Sequence, residues 1–547
     1  MIYLDIETTM AHDKIWCCVL KEGDEFTVFT TREGLQDRIN QATQIAGHNI
    51  IGFDAPVLYD VWDIEIPHEK LVDTLILSRM ALPERRSHSL ASWGETLGYE
   101  KGDFTDYDAG FSQEMLEYCQ RDVEVLEKLY ERLQMHLDKF PANCVAMEYK
   151  VASIIKKQEQ AGFKLDIQAA IILCAEFKYR MDKMQEKFQS LFPPIVHERY
   201  SEKTGKRLKD KIEVFNPSSR QHIYKRLTEL GAKFTKQTEK GNPIVDEAEL
   251  KKIDLPEAKE ILEYLLLNKR YAQVRGWRKW LKLDRKYKDK RVHGRVITCG
   301  TVTGRMSHLD PNVAQVPSVK SEFGKECREC WTVEQGNVLV GADASGLELR
   351  MLAHYMNDEV YTKELLDGDI HTANQKAANL KTRDEAKTFI YAFLYGAGPA
   401  KIGQIAGGSY QHGKNMINEF LRNTPALATL RDKVGKQAES GYLRGLDGRR
   451  LLVRSEHAAL NTLLQSAGAI AMKQALVELD RKLTDAGIPF DFVANVHDEW
   501  QIETPEFCAE QVGELAVEAI REMSLYFNMN CPLDAEYKIG TTWAETH

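Results

Sequence analysis

Apolar and polar positions divide the chain into three stretches. Up to about Asp122 short apolar runs alternate with turns and helical segments, so that Ile2 to Ile6 and Glu25 to Thr30 read as strands. Phe111 to Met135 reads as a helix, with Ser112 as its N-cap and glutamates in its first turns. A first boundary falls near Phe140 to Asn143. Between Val145 and Trp280 the period is mostly helical, interrupted by the polar stretch Tyr200 to Lys211 and by turn signals at Asn216-Pro217 and Gly241-Asn242-Pro243. The last stretch returns to mixed α/β character. Its short apolar runs Val338 to Ala342 and Phe492 to Val496 are bounded like buried strands, and each leads into an acidic residue.

A chain of 547 residues exceeds what one hydrophobic core supports, so several domains are expected. No apolar run approaches the roughly 20 residues of a membrane span, and MIYLDIETTM has no basic leader followed by an apolar stretch. A soluble, intracellular protein without membrane partners is expected. Ten scattered cysteines read as reduced thiols, and Cys327 and Cys330 lack a companion ligand pair, so they read as ordinary thiols too. The net charge of −9 does not point to nucleic acid by itself, but charge is unevenly spread. Lys269 to Arg295 holds twelve Lys or Arg against two Asp, interleaved with Tyr271, Trp277, Trp280 and Tyr287, and a second basic cluster runs from Lys203 to Lys211. Basic residues mixed with aromatics suit phosphate contact and base stacking, although a charge run is more often a solvated face.

The chemistry lies in the acids. Asp5 and Glu7, two apart on a strand, share one face. Asp54 follows the Gly47-His48-Asn49 turn, and Tyr118 and Asp122 are one helical turn apart. Four acids and a tyrosine supply hard oxygen ligands for two Mg²⁺ ions and a means to activate water for phosphodiester hydrolysis. Each feature alone is commonplace. Together, DIET, the turn leading to FD, and YCQRD resemble the proofreading 3′→5′ exonuclease domain of family A DNA polymerases over about Met1 to Leu133, and LVDTLILSR and RSHSLASWGETLG resemble its phage branch. The resemblance makes Asp5, Glu7, Asp54 and Asp122 metal ligands and Tyr118 the residue that orients the attacking water.

A second set of acids follows. GNVLVGADASGLELRMLAHY puts Asp343 at a strand end before a helix, and VANVHDEW puts Asp498 and Glu499 at a turn. These segments resemble motifs A and C of the family A palm. By that resemblance Asp343 and Asp498 hold two Mg²⁺ ions, with Mn²⁺ able to substitute, and Ala344 adds its backbone carbonyl. Between them, Arg383 to Tyr395 spans about 18 Å of one helical stripe, with cations at one end and tyrosines at the other. It resembles motif B of the fingers: Arg383 and Lys387 would clamp phosphates, and Tyr391 and Tyr395 would meet sugar and base. His371 resembles a further triphosphate contact. Thr303-Gly304-Arg305 resembles the segment whose arginine, here Arg305, reads the minor groove at the primer end. His457, Asn461 and Gln465, spaced as on one helix face, resemble a primer-template tracking helix, and His497 would touch the primer. Glu348 matches the family's steric gate against a 2′-OH. Tyr391, where many relatives carry Phe, implies acceptance of dideoxynucleotides.

The resemblance to phage family A polymerases runs from Met1 to His547 and is weakest between about Lys150 and Gly294. It implies an α+β multidomain architecture, with a ribonuclease-H-like 3′→5′ exonuclease domain (1–142) followed by a right-hand polymerase. Residues 143–290 would form the thumb and connecting helices, 291–355 the first part of the palm, 356–460 the fingers and 461–547 the second part of the palm. The implied partners of such a monomeric enzyme are primer-template DNA and dNTPs, in phage DNA replication within a bacterial cytoplasm. The exonuclease motif begins at Asp5, which leaves no 5′ nuclease domain and implies no primer removal. A short polar stretch stands where phage relatives carry a long thumb insertion for thioredoxin, so thioredoxin is not an expected partner, and a helicase, primase or single-strand-binding protein remains to supply processivity. Three other readings stay open, the last a non-catalytic DNA-binding or scaffolding protein, which gives no reason for two separate acid clusters. A single-subunit RNA polymerase shares the acid pair and motif B but not Glu348 with the exonuclease acids. A nuclease with a DNA-binding C-terminal part would leave the second acid pair without a purpose.

Overall fold

Seven residues of the N-terminal run, Ile2–Thr8, form a strand buried throughout except at Asp5. The computed structural model describes residues 1–99, 102, 104–137, 139–284, 286 and 288–547, and Tyr287 of the basic stretch lies outside them. Ile2–Thr8 is the middle strand of a five-stranded sheet in the order Glu25–Phe29, Ile15–Glu22, Ile2–Thr8, Ile45–Gly47, Leu71–Asp73. The first three strands pair antiparallel and the last two join in parallel. Helix Gln113–Leu137 lays Cys119, Val123, Leu126, Leu129 and Leu133 onto this sheet. Ser112 Oγ accepts the Met115 N–H at 3.1 Å, so the hydroxyl caps the helix and Phe111 falls outside it, two residues beyond the start expected from sequence.

Helices Ala142–Ala161, Ile167–Leu191 and Pro256–Trp277 carry the chain onward. The polar stretch Tyr200 to Lys211 is part of a two-stranded hairpin, Ile195–Tyr200 with Arg207–Glu213, in which Val196 pairs with Ile212. Most of it is exposed. The basic stretch from Lys269 to Arg295 is not one nucleic-acid face. Trp277 is buried against Trp331, their rings 5.2 Å apart, and Arg291 is buried and donates to Glu503 at 2.5 Å and to Gly162 O at 3.1 Å. A run of charge in sequence cannot distinguish cations paired in the interior from those in water.

The C-terminal half is organised on a four-stranded antiparallel sheet, ordered Asp491–Val496, Glu499–Pro505, Asn337–Ala344, Ala535–Gly540. Its register sets Asp343 opposite Glu499. Helix Ala459–Asp485 is buried along nearly its whole length, as its apolar composition on every face requires. Asn461 and Gln465 lie on this helix, but His457 belongs to the separate 3₁₀ turn Glu456–Ala458 ahead of it, so the three do not share one continuous helix face. Cys327 and Cys330 are free and buried. No helix among the described residues is long and apolar enough to cross a membrane.

Candidate active sites

The first site is built on the central strand of the N-terminal sheet. Asp5 and Glu7 rise from one face of Ile2–Thr8. The helix Gln113–Leu137, which carries Tyr118 and Asp122, brings Cys119 against them. Ligand atoms of Asp5, Glu7 and Cys119 lie within 4.8 Å of one another. Asp54 begins the helix Asp54–Trp62 and is 2% exposed. Burial pushes its pKa up to about 7, with Asp73 and Asp122 adding repulsion and the amides of Asp54 and Ile6 partly offsetting it. Asp54 Oδ1 is buried without a hydrogen-bond partner among the described residues. A crowd of buried carboxylates with an unsatisfied oxygen is a donor set that a hard divalent cation would complete.

Asp73, which sequence reasoning did not single out, positions this site. Its carboxylate accepts the N–H groups of Leu75 and Ile76, capping helix Thr74–Ala81, and those of Asn49 and Ile51 at 3.2 Å each. One buried acid thereby fixes the turn that delivers Asp54. An Asp directly before a helical run was its only sequence signal.

The second site lies at the end of the C-terminal sheet. Strand Asn337–Ala344 ends beside the turn between Asp491–Val496 and Glu499–Pro505. The Ala344 N–H donates to Asp498 O at 3.1 Å, and His497 holds the turn at φ +60°. Burial, then Asp498 and Glu499, push the Asp343 pKa up to about 7, and burial also raises Asp498. Glu499 is otherwise engaged: Oε1 accepts Trp543 Nε1 at 2.5 Å and Gln501 Nε2 at 2.6 Å, and Oε2 lies 2.9 Å from His547 Nδ1. Asp343 and Asp498 are left as the adjacent acid pair, and Asp498 lines a cavity together with Arg305, Glu348 and His497.

Glu348, on helix Leu347–Met356, gathers the surroundings of that pair. Its carboxylate accepts Tyr395 OH at 2.7 and 2.6 Å and Arg305 Nη2 at 2.9 Å. Tyr395 closes helix Arg383–Leu394, whose start is fixed by a capping box between Thr382 and Glu385. Tyr391 stacks on Tyr395, ring centroids 6.5 Å apart, and its other neighbour His371 lies 6.3 Å away with the rings tilted by 50°. Arg383 and Lys387 add positive potential at His371 and, after burial, lower its pKa. This end of the helix is a cationic patch, in which Arg383 Nε is bonded to Asp369 at 2.7 Å. Asp369 also caps helix Ile370–Ala377 and went unnoticed in the sequence. His457, Lys387 and His497 are exposed, while Asn461 and Gln465 are half-buried.

The family model for DNA polymerase family A matches residues 195–545. The chain belongs to that family. The polymerase is 35% identical to the DNA-directed DNA polymerase of Escherichia phage T7 over 94% of each chain, and equally to that of Enterobacteria phage T3. It is 26% identical to DNA polymerase I of Streptococcus pneumoniae (strain ATCC BAA-255 / R6) over 77% of this chain and 47% of that one. In fold the polymerase matches the POL domain of Pol1 from M. smegmatis, solved with DNA primer-template and dNTP, at a TM-score of 0.82 and 19% identity, covering 100% of this chain and 95% of that one. It is a template-directed DNA polymerase, and so a nucleotidyltransferase, with phage homologues.

Proposed function

We propose that this polymerase adds deoxynucleotides to a primer 3′-OH by a two-metal-ion mechanism and proofreads its product with a separate 3′→5′ exonuclease, in phage DNA replication. The observation that carries the polymerase reading is the adjacency of Asp343 and Asp498, with Glu499 committed elsewhere. Their oxygens, with the Ala344 carbonyl, would hold two Mg²⁺ ions, or Mn²⁺. Such ions lower the pKa of the primer hydroxyl and neutralise the triphosphate. His371, Arg383 and Lys387 bind the triphosphate, which requires Arg383 to exchange Asp369 for phosphate. Tyr391 and Tyr395 meet sugar and base, and Glu348 crowds a 2′-OH. Arg305 reads the minor groove once it leaves Glu348, and His457, Asn461, Gln465 and His497 contact primer and template. Closure of the fingers would align the reactants before chemistry.

The exonuclease reading is supported by the mixed five-stranded sheet whose central strand carries Asp5 and Glu7, and by Asp54, which meets that strand at the Ile6 amide and feels the charge of Asp122. Asp5, Glu7, Asp54 and Asp122 would hold the ions there, and Tyr118 would orient water. The test is extension and degradation of a labelled primer-template with Mg²⁺ and dNTPs. Asp343→Ala with Asp498→Ala should lose extension and keep 3′ degradation; Asp5→Ala with Glu7→Ala should do the reverse. Extension by the N-terminal double variant with undiminished 3′ degradation would overturn the exonuclease assignment.

A further inference from the structure

Two cavities of about 570 and 430 Å³ lie between the N-terminal domain and the hairpin Tyr442–Arg444 with Arg450–Leu452. They share Lys139, Phe140, Tyr442 and Arg450 as lining and so form one groove, which none of the acids of either constellation reaches. The groove is positive. The end of helix Gln113–Leu137 and the residues after it supply His136 and Lys139, and the hairpin supplies Arg444 and Arg450. Lys139 and Arg444 are exposed, and neither they nor Arg450 pair with a carboxylate among the described residues. Glu84, the one acid in the lining, is held by Arg454 Nε at 2.9 Å. His136 registers the excess of charge: after burial, Lys139, Arg132 and Arg450 lower its pKa. A cleft lined by one sign of charge concentrates chains of the other.

A second observation selects among anionic chains. The Arg450 guanidinium sits 3.5 Å from the centroid of the Tyr442 ring, and that ring is 37% exposed. A cation thus braces an aromatic plate that still has open surface, with half-buried Phe140 also in the lining. Cations beside aromatic plates suit a chain that carries both phosphates and unstacked bases. An acidic peptide would use the cations and give the rings no role, and a duplex keeps its bases stacked inside. We propose that this groove binds single-stranded DNA, with Lys139, Arg444 and Arg450 on phosphates and Tyr442 and Phe140 against bases. It adds a hold on the strand, outside both acidic constellations, to a chain whose net charge of −9 gives little attraction of its own. The assignment stands apart from the metal and exonuclease readings.

The experiment mixes the full chain, in EDTA so that no strand is degraded, with a single-stranded oligonucleotide carrying 5-bromodeoxyuridine. Ultraviolet crosslinking and peptide mapping should find adducts on the peptide that contains Phe140, and their yield against oligonucleotide concentration gives the affinity of this groove apart from other sites. Lys139→Ala with Arg444→Ala and Arg450→Ala should weaken that binding by about tenfold or more at low salt. It should also flatten the dependence of log affinity on log salt by about 2, at roughly 0.7 per phosphate contact. Tyr442→Ala should weaken binding by about fivefold or more with the salt dependence unchanged. Primer extension and the thermal midpoint report that each variant is folded, and Arg444→Ala alone, at an exposed position, serves if the triple variant is not. No adduct at Phe140 in wild type, or the same affinity and salt dependence in the cation variants, overturns the site. Binding that falls in the cation variants but not in Tyr442→Ala, and that a glutamate-rich peptide displaces equally well, overturns single-stranded DNA as the occupant in favour of an acidic protein segment.

Discussion

Asp343 shows how one residue exchanges stability for function. Its carboxyl titrates near 7 because it is buried beside Asp498 and Glu499, so the native chain holds this proton more tightly than the unfolded chain, whose carboxyl titrates near 4. The associated stability is complete below about pH 4 and is lost as pH rises through 7; Asp54, also near 7, behaves alike. In EDTA the thermal midpoint should therefore fall between pH 5 and pH 8. Asp343→Asn should raise it by a few degrees at pH 8 while abolishing extension, and added Mg²⁺ should stabilise wild type more than the variant. Melts at the two pH values check this. Selectivity is proposed to rest on two neighbouring side chains, Glu348 and Tyr391. Replacing Glu348 by Ala removes the bulk proposed to exclude a 2′-OH, so discrimination against ribonucleotides in single-nucleotide insertion should fall by roughly 10–200-fold, the range for such pocket contacts. Tyr391→Phe should instead increase discrimination against dideoxynucleotides, and strong discrimination in wild type that the substitution leaves unchanged would remove the role given to Tyr391.

Elements were legible in sequence where a local rule governs them. The helix Arg383–Leu394 carries its own capping box and period, and the strands bearing Asp5 and Asp343 are short apolar runs ending in turns. Contacts between distant elements were not legible. His457 has helical spacing from Asn461, yet it lies in the tighter 3₁₀ turn that leads into the helix. Glu148 on helix Ala142–Ala161 receives Lys473 Nζ at 2.7 Å and Arg449 Nη1 at 2.7 Å, partners 325 and 301 residues away. All three are buried, and no local pattern announces such a meeting. Despite its burial, the two cations hold the Glu148 carboxyl below its usual range. Glu148→Ala leaves both cations buried with less compensation and should destabilise the chain by about 3–5 kcal/mol, whereas replacing all three residues by apolar ones of similar volume should cost much less. Denaturant unfolding of single and triple variants separates the worth of the cluster from the penalty of breaking it.

At the scale of the molecule, each acidic constellation stands on its own sheet. Both stood out in the sequence because the acids proposed to act lie on short apolar strands, in the turns after them or one turn apart on a helix, where a few consecutive residues fix their geometry. The basic stretch misled for the opposite reason: Arg291 and Trp277 are defined by what packs on them from far along the chain. The remaining question at this scale is how the polymerase stays on DNA. A net charge of −9 makes retention by overall attraction weak. The hairpin Ile195–Tyr200 with Arg207–Glu213 occupies the place where the family resemblance leads one to look for a thioredoxin-binding insertion. It offers two short strands with exposed Lys203, Lys206, Lys209 and Lys211, a short basic hairpin in place of the long insertion that the resemblance to phage relatives would call for. Tethering to another replication protein would raise the local concentration of primer ends without new catalytic contacts. Product length on a long primed single strand, with polymerase limiting and unlabelled DNA as trap, should accordingly be the same with and without thioredoxin. A marked thioredoxin-dependent increase would show that this hairpin suffices to recruit it and that size is the wrong guide to the thumb.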